Sequence, residues 1–170
     1  MILDEPKEEQ VTRILFVCTG NTCRSPMAEA LFRSAAAEFL KCSVWQLREH
    51  GVDVFSAGVA AWENSPASPQ SVEVMKDRGL DLTQHLSRQV TAQMIAQSDA
   101  VLAMTPRHQA VLQQLSPADS ERIWLLGGSG VDIADPFGGS VEEYRQCAGE
   151  IAEYTDRWVR RLLSKKVDEL

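Results

Sequence analysis

Four short apolar runs, each parted from the next by a stretch of helical character, constrain this chain's fold more than any other feature. They are Arg13–Cys18 (RILFVC), Asp53–Ala57 (DVFSA), Ser98–Thr105 (SDAVLAMT) and Arg122–Leu126 (RIWLL). They read as apolar throughout rather than alternating with polar residues, which is the mark of strands covered on both faces. Helical patterns occupy Pro26 to about Leu40, about Pro69 to Arg78, Pro106 to Leu115, and a long segment from Val141 onward. Strand and helix in alternation specify an α/β fold: a parallel sheet of four strands between two helical layers. A single core suits 170 residues of which 44% are apolar.

Within the first helix, Met27, Leu31, Ala35 and Phe39 recur every four residues and are expected to share one face. Pro26 suits the first turn, where its missing N–H costs nothing, and Ser25 is the expected N-cap. In the last helix, Val141, Tyr144, Ala148, Ile151, Trp158 and Leu162 form the apolar stripe.

Charge and cysteine usage narrow the function classes. A net charge of −7 without any basic block speaks against nucleic acid or an anionic membrane as partner. Residues 1–10 (MILDEPKEEQ) are acidic and hold no apolar stretch of signal-peptide length. They are expected to be a flexible tail before a single domain over 11–170, in a cytoplasmic and monomeric protein. The four cysteines, Cys18, Cys23, Cys42 and Cys147, form no Cys-x-x-Cys pair, and His50, His85 and His108 lack ligand spacing. Neither a disulfide framework nor a metal site is therefore expected, and no cofactor. The glycines of 127–130 (GGSG) do not form a dinucleotide-binding pattern.

The chemistry gathers at FVCTGNTCRSPMA, residues 16–28. In open parallel sheets ligands bind beyond the carboxyl ends of the strands, which is where this segment lies. A seven-residue turn from strand into helix can point successive backbone N–H groups inward and make an anion cradle at the positive end of the helix. Arg24 offers a planar fork for two phosphate oxygens. Gly20 and Asn21 are residues that tolerate the left-handed backbone a tight nest requires. A thiol at the mouth of such a cradle lies in a field that favours the thiolate. Cys18 is thus placed to attack a phosphorus held by Arg24, with Ser25 donating to the sulfur. Cys18 could instead be a small buried hydrophobe, but its position between first strand and first helix favours the nucleophile.

The stretch CTGNTCRSPMAEA resembles the phosphate-binding loop of the low-molecular-weight protein tyrosine phosphatase family. Further matches are SAG (56–58), HLSRQV (85–90), SDAVLAMT (98–105) and DPFGGS (135–140), so the likeness runs from Ile14 to the final helix. It implies a three-layer α/β/α fold with strand order 2-1-3-4. It implies a metal-independent phosphatase acting on phosphorylated proteins through a phosphocysteine intermediate. Cys18, Arg24 and Asp135 would be the catalytic residues, and Thr19, Gly20, Asn21, Thr22, Cys23, Ser25 and Phe137 the substrate-binding ones. Asp135 would protonate the leaving group and then activate water; a bound dianion beside it disfavours its ionised form. Asp132 is the fallback acid. Asn21 would hold the loop's shape with Ser56 and His85 as supports. Cys18 and Cys23 are a candidate reversible disulfide, although Cys23 can equally be a small loop residue. Cys147 is read as core, Cys42 has no evident role, and Trp62 is read as a loop anchor rather than a wall of the cleft.

Two positions depart from the tyrosine phosphatase pattern. Thr22 stands where a bulky Ile or Leu is usual, and Phe137-Gly138-Gly139 follows Asp-Pro where Tyr or Trp is typical. Thr22 together with DPFGGS resembles the protein arginine phosphatase branch, which implies hydrolysis of the P–N bond of phosphoarginine. There Thr22 would orient the guanidinium and Asp135 would both bind and protonate it. Protein tyrosine phosphatase is the alternative. Arsenate reductase, which needs further cysteines that the stretch between Cys42 and Cys147 does not contain, and a phosphate-binding module are more distant ones.

Overall fold

In the computed structural model, which describes residues 10–167, strand β1 (Thr12–Cys18) lies inside the sheet and sends alternate side chains to opposite cores. Ile14, Phe16 and Cys18 join one apolar cluster, and Leu15 and Val17 join the other. All four residues from Ile14 to Val17 are buried, which is why the run carries no polar alternation. β1 pairs with β2 (Val52–Gly58) on one side and β3 (Ala100–Ala103) on the other, and β4 (Ile123–Leu125) completes the sheet beyond β3. Every pairing is parallel and the order is β2-β1-β3-β4, as the family resemblance implies.

The third strand is shorter than SDAVLAMT suggested because its ends have other partners. Ser98 bonds back to the Met94 carbonyl, Asp99 accepts the Arg13 N–H at 2.8 Å, and Thr105 turns out of the sheet to cap the next helix. β4 is an edge strand whose Trp124 faces outward, and the Arg161 guanidinium stacks 4.9 Å from its ring centroid.

Helices α1 (Arg24–Leu40), α2 (Pro69–Asp77) and α5 (Val141–Val167) cover the Phe16 side, and α3 (Ala92–Ala96) and α4 (Pro106–Leu115) the Val17 side. α1 begins two residues earlier than Pro26, with Cys23 as N-cap. Ser25 is therefore not the cap: it sits inside the first turn with its hydroxyl turned to Cys18. The four-residue stripe also drifts. Four steps of 100° overshoot a full turn by 40°, so Met27 and Leu31 are buried, Ala35 and Phe39 only half-buried, and Phe32, Ala36 and Leu40 complete the face. In α5 the same drift buries Leu163 in place of Leu162. α3 was not anticipated, since five residues are too few to display a period. The tail expected over residues 1–10 lies, apart from Gln10, outside the described residues. Among those described, no helix is long and apolar enough to cross a membrane.

Candidate active site

The loop from Cys18 to Arg24 turns its carbonyls outward. The carbonyls of Cys18 and Thr19 accept from Val59 and Ala60 N–H, each at 2.9 Å, that of Thr22 from Ser68 N–H at 2.9 Å, and that of Cys23 from Met27 N–H at 3.3 Å. His85 Nε2 donates to the Asn21 carbonyl at 2.6 Å. The backbone N–H groups of residues 19–23 find no acceptor among the described residues. With oxygens turned away and amides free at the head of α1, the loop has the polarity of an anion cradle.

Its shape depends on two backbone positions. Asn21 adopts the left-handed conformation at φ 56°, whereas Gly20, expected to share it, does not. Gly58 at the end of β2 lets the loop approach: a Cβ there would collide with the Thr19 carbonyl oxygen and lie 3.0 Å from the Asn21 nitrogen. The Asn21 side chain, fully buried, binds three segments at once. Its Nδ2 donates to Ser25 Oγ at 2.8 Å and Ser56 Oγ at 2.9 Å, and its Oδ1 accepts from Arg88 N–H at 3.0 Å. The Ser56 hydroxyl donates in turn to Glu29 Oε2 at 2.7 Å. The Ser25 hydroxyl, already an acceptor from Asn21, can direct its proton to Cys18 Sγ at 3.0 Å or to the more distant Ala57 carbonyl at 3.4 Å.

Arg24 is buried, with Nη1 donating to the Ile133 carbonyl at 2.8 Å and Nη2 lying 3.3 Å from an oxygen of Asp135. Its Nε has no partner among the described residues. Asp135 is half exposed and takes the Phe137 N–H on its other oxygen at 3.1 Å, an Asx turn that fixes the Asp-Pro-Phe corner. Asp132 is exposed and does not line the cleft, so Asp135 is the carboxylate that the geometry brings to the loop.

These groups face a cleft of about 370 Å³ lined by Cys18, Thr19, Gly20, Thr22, Cys23 and Arg24 at its base, with Asp135, Ser65, Trp62 and Phe137 around it. Trp62 is not the buried anchor expected of it. It is 85% exposed and lines the same cleft as Cys18 and Arg24, as does Phe137 at 76%. The main chain of Trp62, Asn64 and Ser65 is held instead by the backbone and hydroxyl of Ser87.

All four cysteines are free thiols. Cys23 Sγ lies 3.2 Å from Tyr144 Oη and 3.5 Å from Ser68 Oγ. Burial pushes Tyr144 up to about 12, so its hydroxyl keeps its proton. Burial likewise pushes Cys147 up to about 12 against the opposing pull of Arg24, and Cys147 is an inert core thiol. Cys42 is half-buried outside the site.

Neighbours of the loop that the sequence does not single out include Glu29, Ser65, Ser68, Tyr144 and His108. His108 Nε2 lies 2.8 Å from Thr19 Oγ1. Burial and then the Arg24 charge push the imidazole down to about 4, outweighing Asp135 and Asp132, so the ring is neutral at pH 7. The signal available for it was Thr105-Pro106, a cap and first-turn pair that puts position 108 in the first turn of a helix leaving the sheet's carboxyl edge.

The model of the low molecular weight phosphotyrosine protein phosphatase family matches residues 13–169. The chain belongs to that family. Among its relatives in it, the protein-arginine-phosphatase of Geobacillus stearothermophilus is 39% identical, over 91% of this chain and 98% of its own. A low molecular weight protein-tyrosine-phosphatase of Streptomyces coelicolor is 34% identical, over 79% and 84%. A solved structure of a Cys-to-Ser mutant of YwlE arginine phosphatase, with a phosphorylated active-site serine, superposes with a TM-score of 0.80 at 38% identity, over 91% of this chain and 97% of that one.

Proposed function

We propose that this family member is a protein arginine phosphatase that cleaves the P–N bond of phosphoarginine in proteins through a phosphocysteine at Cys18. The observation that carries the reading is one cleft holding the Cys18 sulfur, the Arg24 fork, the Asp135 carboxyl and the Thr22 hydroxyl. The likeness to named arginine phosphatases supports the choice of substrate.

In the first step the Cys18 sulfur attacks phosphorus, the P–N bond breaks, and Asp135 gives its proton to the departing guanidine nitrogen. An uncharged guanidine leaves poorly, so a carboxylic acid aimed at that nitrogen is valuable. Arg24 and the free amides of the loop take up charge on the three non-bridging oxygens. In the second step Asp135 removes a proton from water, whose oxygen attacks phosphorus. Phosphate departs and Cys18 leaves as an anion stabilised by the Ser25 hydroxyl. Thr22 adds to the cleft lining a polar group suited to a planar guanidinium, with Trp62 and Phe137 as aromatic neighbours in the same lining. Asn21, Ser56 and His85 keep the cradle in shape. A reversible disulfide between Cys18 and Cys23 would require the Cys23 thiol to leave Tyr144 and Ser68. The protein would act in the cytoplasm as a monomer.

The aromatic walls also suit phosphotyrosine, so the deciding experiment compares phosphoarginine and phosphotyrosine peptides of one sequence at matched concentration. The expected result is a kcat/KM at least tenfold higher for phosphoarginine. A preference for phosphotyrosine would overturn the substrate assignment.

A further inference from the structure

His108 is a buried polar side chain on α4 that the mechanism above does not use. It is 6% exposed, its backbone N–H is taken by the N-cap Thr105 at 3.2 Å, and its ring reaches the residue next to the nucleophile. The neutral ring carries one proton, and its two nitrogens compete for it on unequal terms. Nδ1 has no partner among the described residues, so a proton there would be a buried donor left unpaired. A proton on Nε2 meets Thr19 Oγ1 at 2.8 Å. A bare nitrogen at Nδ1 is the smaller loss, and Arg24 nearby opposes a second proton on the ring.

A hydroxyl that accepts from an imidazole retains its own proton for another acceptor. Thr19 is exposed and borders the cleft beside Cys18, Gly20 and Arg24. We propose that His108 is a positioning residue which, by donating from Nε2, commits the Thr19 hydroxyl to donate into the phosphoryl cradle. This rests on the phosphatase reading above. Thr19 then adds a side-chain donor to the ring of loop amides, directed where negative charge grows as phosphorus passes between sulfur and nitrogen. The proton never leaves His108, which supplies direction rather than acid or base.

The test uses the full chain with para-nitrophenyl phosphate and phosphoarginine as substrates, and orthovanadate and inorganic phosphate as competing ligands. Thr19→Val and His108→Met should each lower kcat roughly ten- to a hundredfold with KM within about threefold. Both should weaken five-coordinate vanadate more than tetrahedral phosphate. The double variant should be no worse than the poorer single one, and His108→Gln, which can place an amide N–H near the Nε2 position, should recover most of the rate. Long-range 1H–15N spectra of the wild type should report the Nε2–H tautomer, a readout that stands even if His108→Met fails to fold. An Nδ1–H tautomer, full kcat in Thr19→Val, or additive losses in the double variant would overturn the proposal while leaving the phosphatase assignment intact. Absence of wild-type turnover on both substrates would overturn the assignment itself, and this role with it.

Discussion

At the scale of single residues the site depends on geometry that near-equivalents cannot reproduce. Arg24 uses one amino group on the Ile133 carbonyl and presents the other beside Asp135. Lysine keeps the charge but not the fork. Arg24→Lys is therefore expected to lower kcat/KM by about a hundredfold or more, read by steady-state kinetics, since loss of one oxyanion donor alone costs that much elsewhere. Thr22→Ile should move the phosphoarginine-to-phosphotyrosine ratio of kcat/KM towards phosphotyrosine, because it trades a hydroxyl at the cleft for an apolar branch; an unchanged ratio would remove Thr22 from the specificity argument. Cys18, Arg24 and Ser25 were legible because they share one eight-residue stretch whose polarity follows from its place between strand and helix. Glu29, Tyr144 and His108 were not. Each meets the loop or its supports through tertiary packing, across distances such as the 121 residues between Cys23 and Tyr144, and no local pattern encodes such a meeting.

Among elements, the loop's position depends on how closely β2 lets it approach. Gly58→Ala places a methyl group against the Thr19 carbonyl and the Asn21 nitrogen, both backbone atoms that cannot swing aside. Overpacking of this kind costs roughly 1–3 kcal/mol. The variant should show a lower Tm together with weaker phosphate binding, whereas a substitution at exposed Gly79 in the α2 terminus should leave binding alone. The long elements were readable from their periods. Their ends were not, because capping and edge contacts decide them: Cys23 rather than Ser25 opens α1, and Thr105 is drawn from β3 into the cap of α4. Trp62 was misread for the same reason. A tryptophan in a loop ordinarily seeks burial, but here main-chain bonds to Ser87 fix the loop and leave the indole free at the cleft.

For the molecule as a whole, the buried imidazole of His108 ties stability to pH. Folding pushes it from 6.5 down to about 4, with Arg24 and Arg107 opposing its protonation and Asp135 and Asp132 favouring it. Between those values the unfolded chain binds a proton that the folded chain refuses, so stability falls as pH drops through that window. The loss approaches about 3 kcal/mol by pH 4. Urea titrations at pH 7 and pH 5 should show this decline in the wild type and a shallower one in His108→Gln. Sheet order and layering, by contrast, were implied by the sequence at this scale, since parallel strands with helical crossovers admit few arrangements and the loop motif selected one.

Ile133 and Asp135 hold Arg24 from the far end of the chain, more than a hundred residues after the nucleophile. During synthesis the ribosome therefore releases Cys18 early and the two groups that hold Arg24 late. On the proposed mechanism, a polypeptide that stops before Ile133 carries the thiol without the groups that hold Arg24, and is expected to show no turnover.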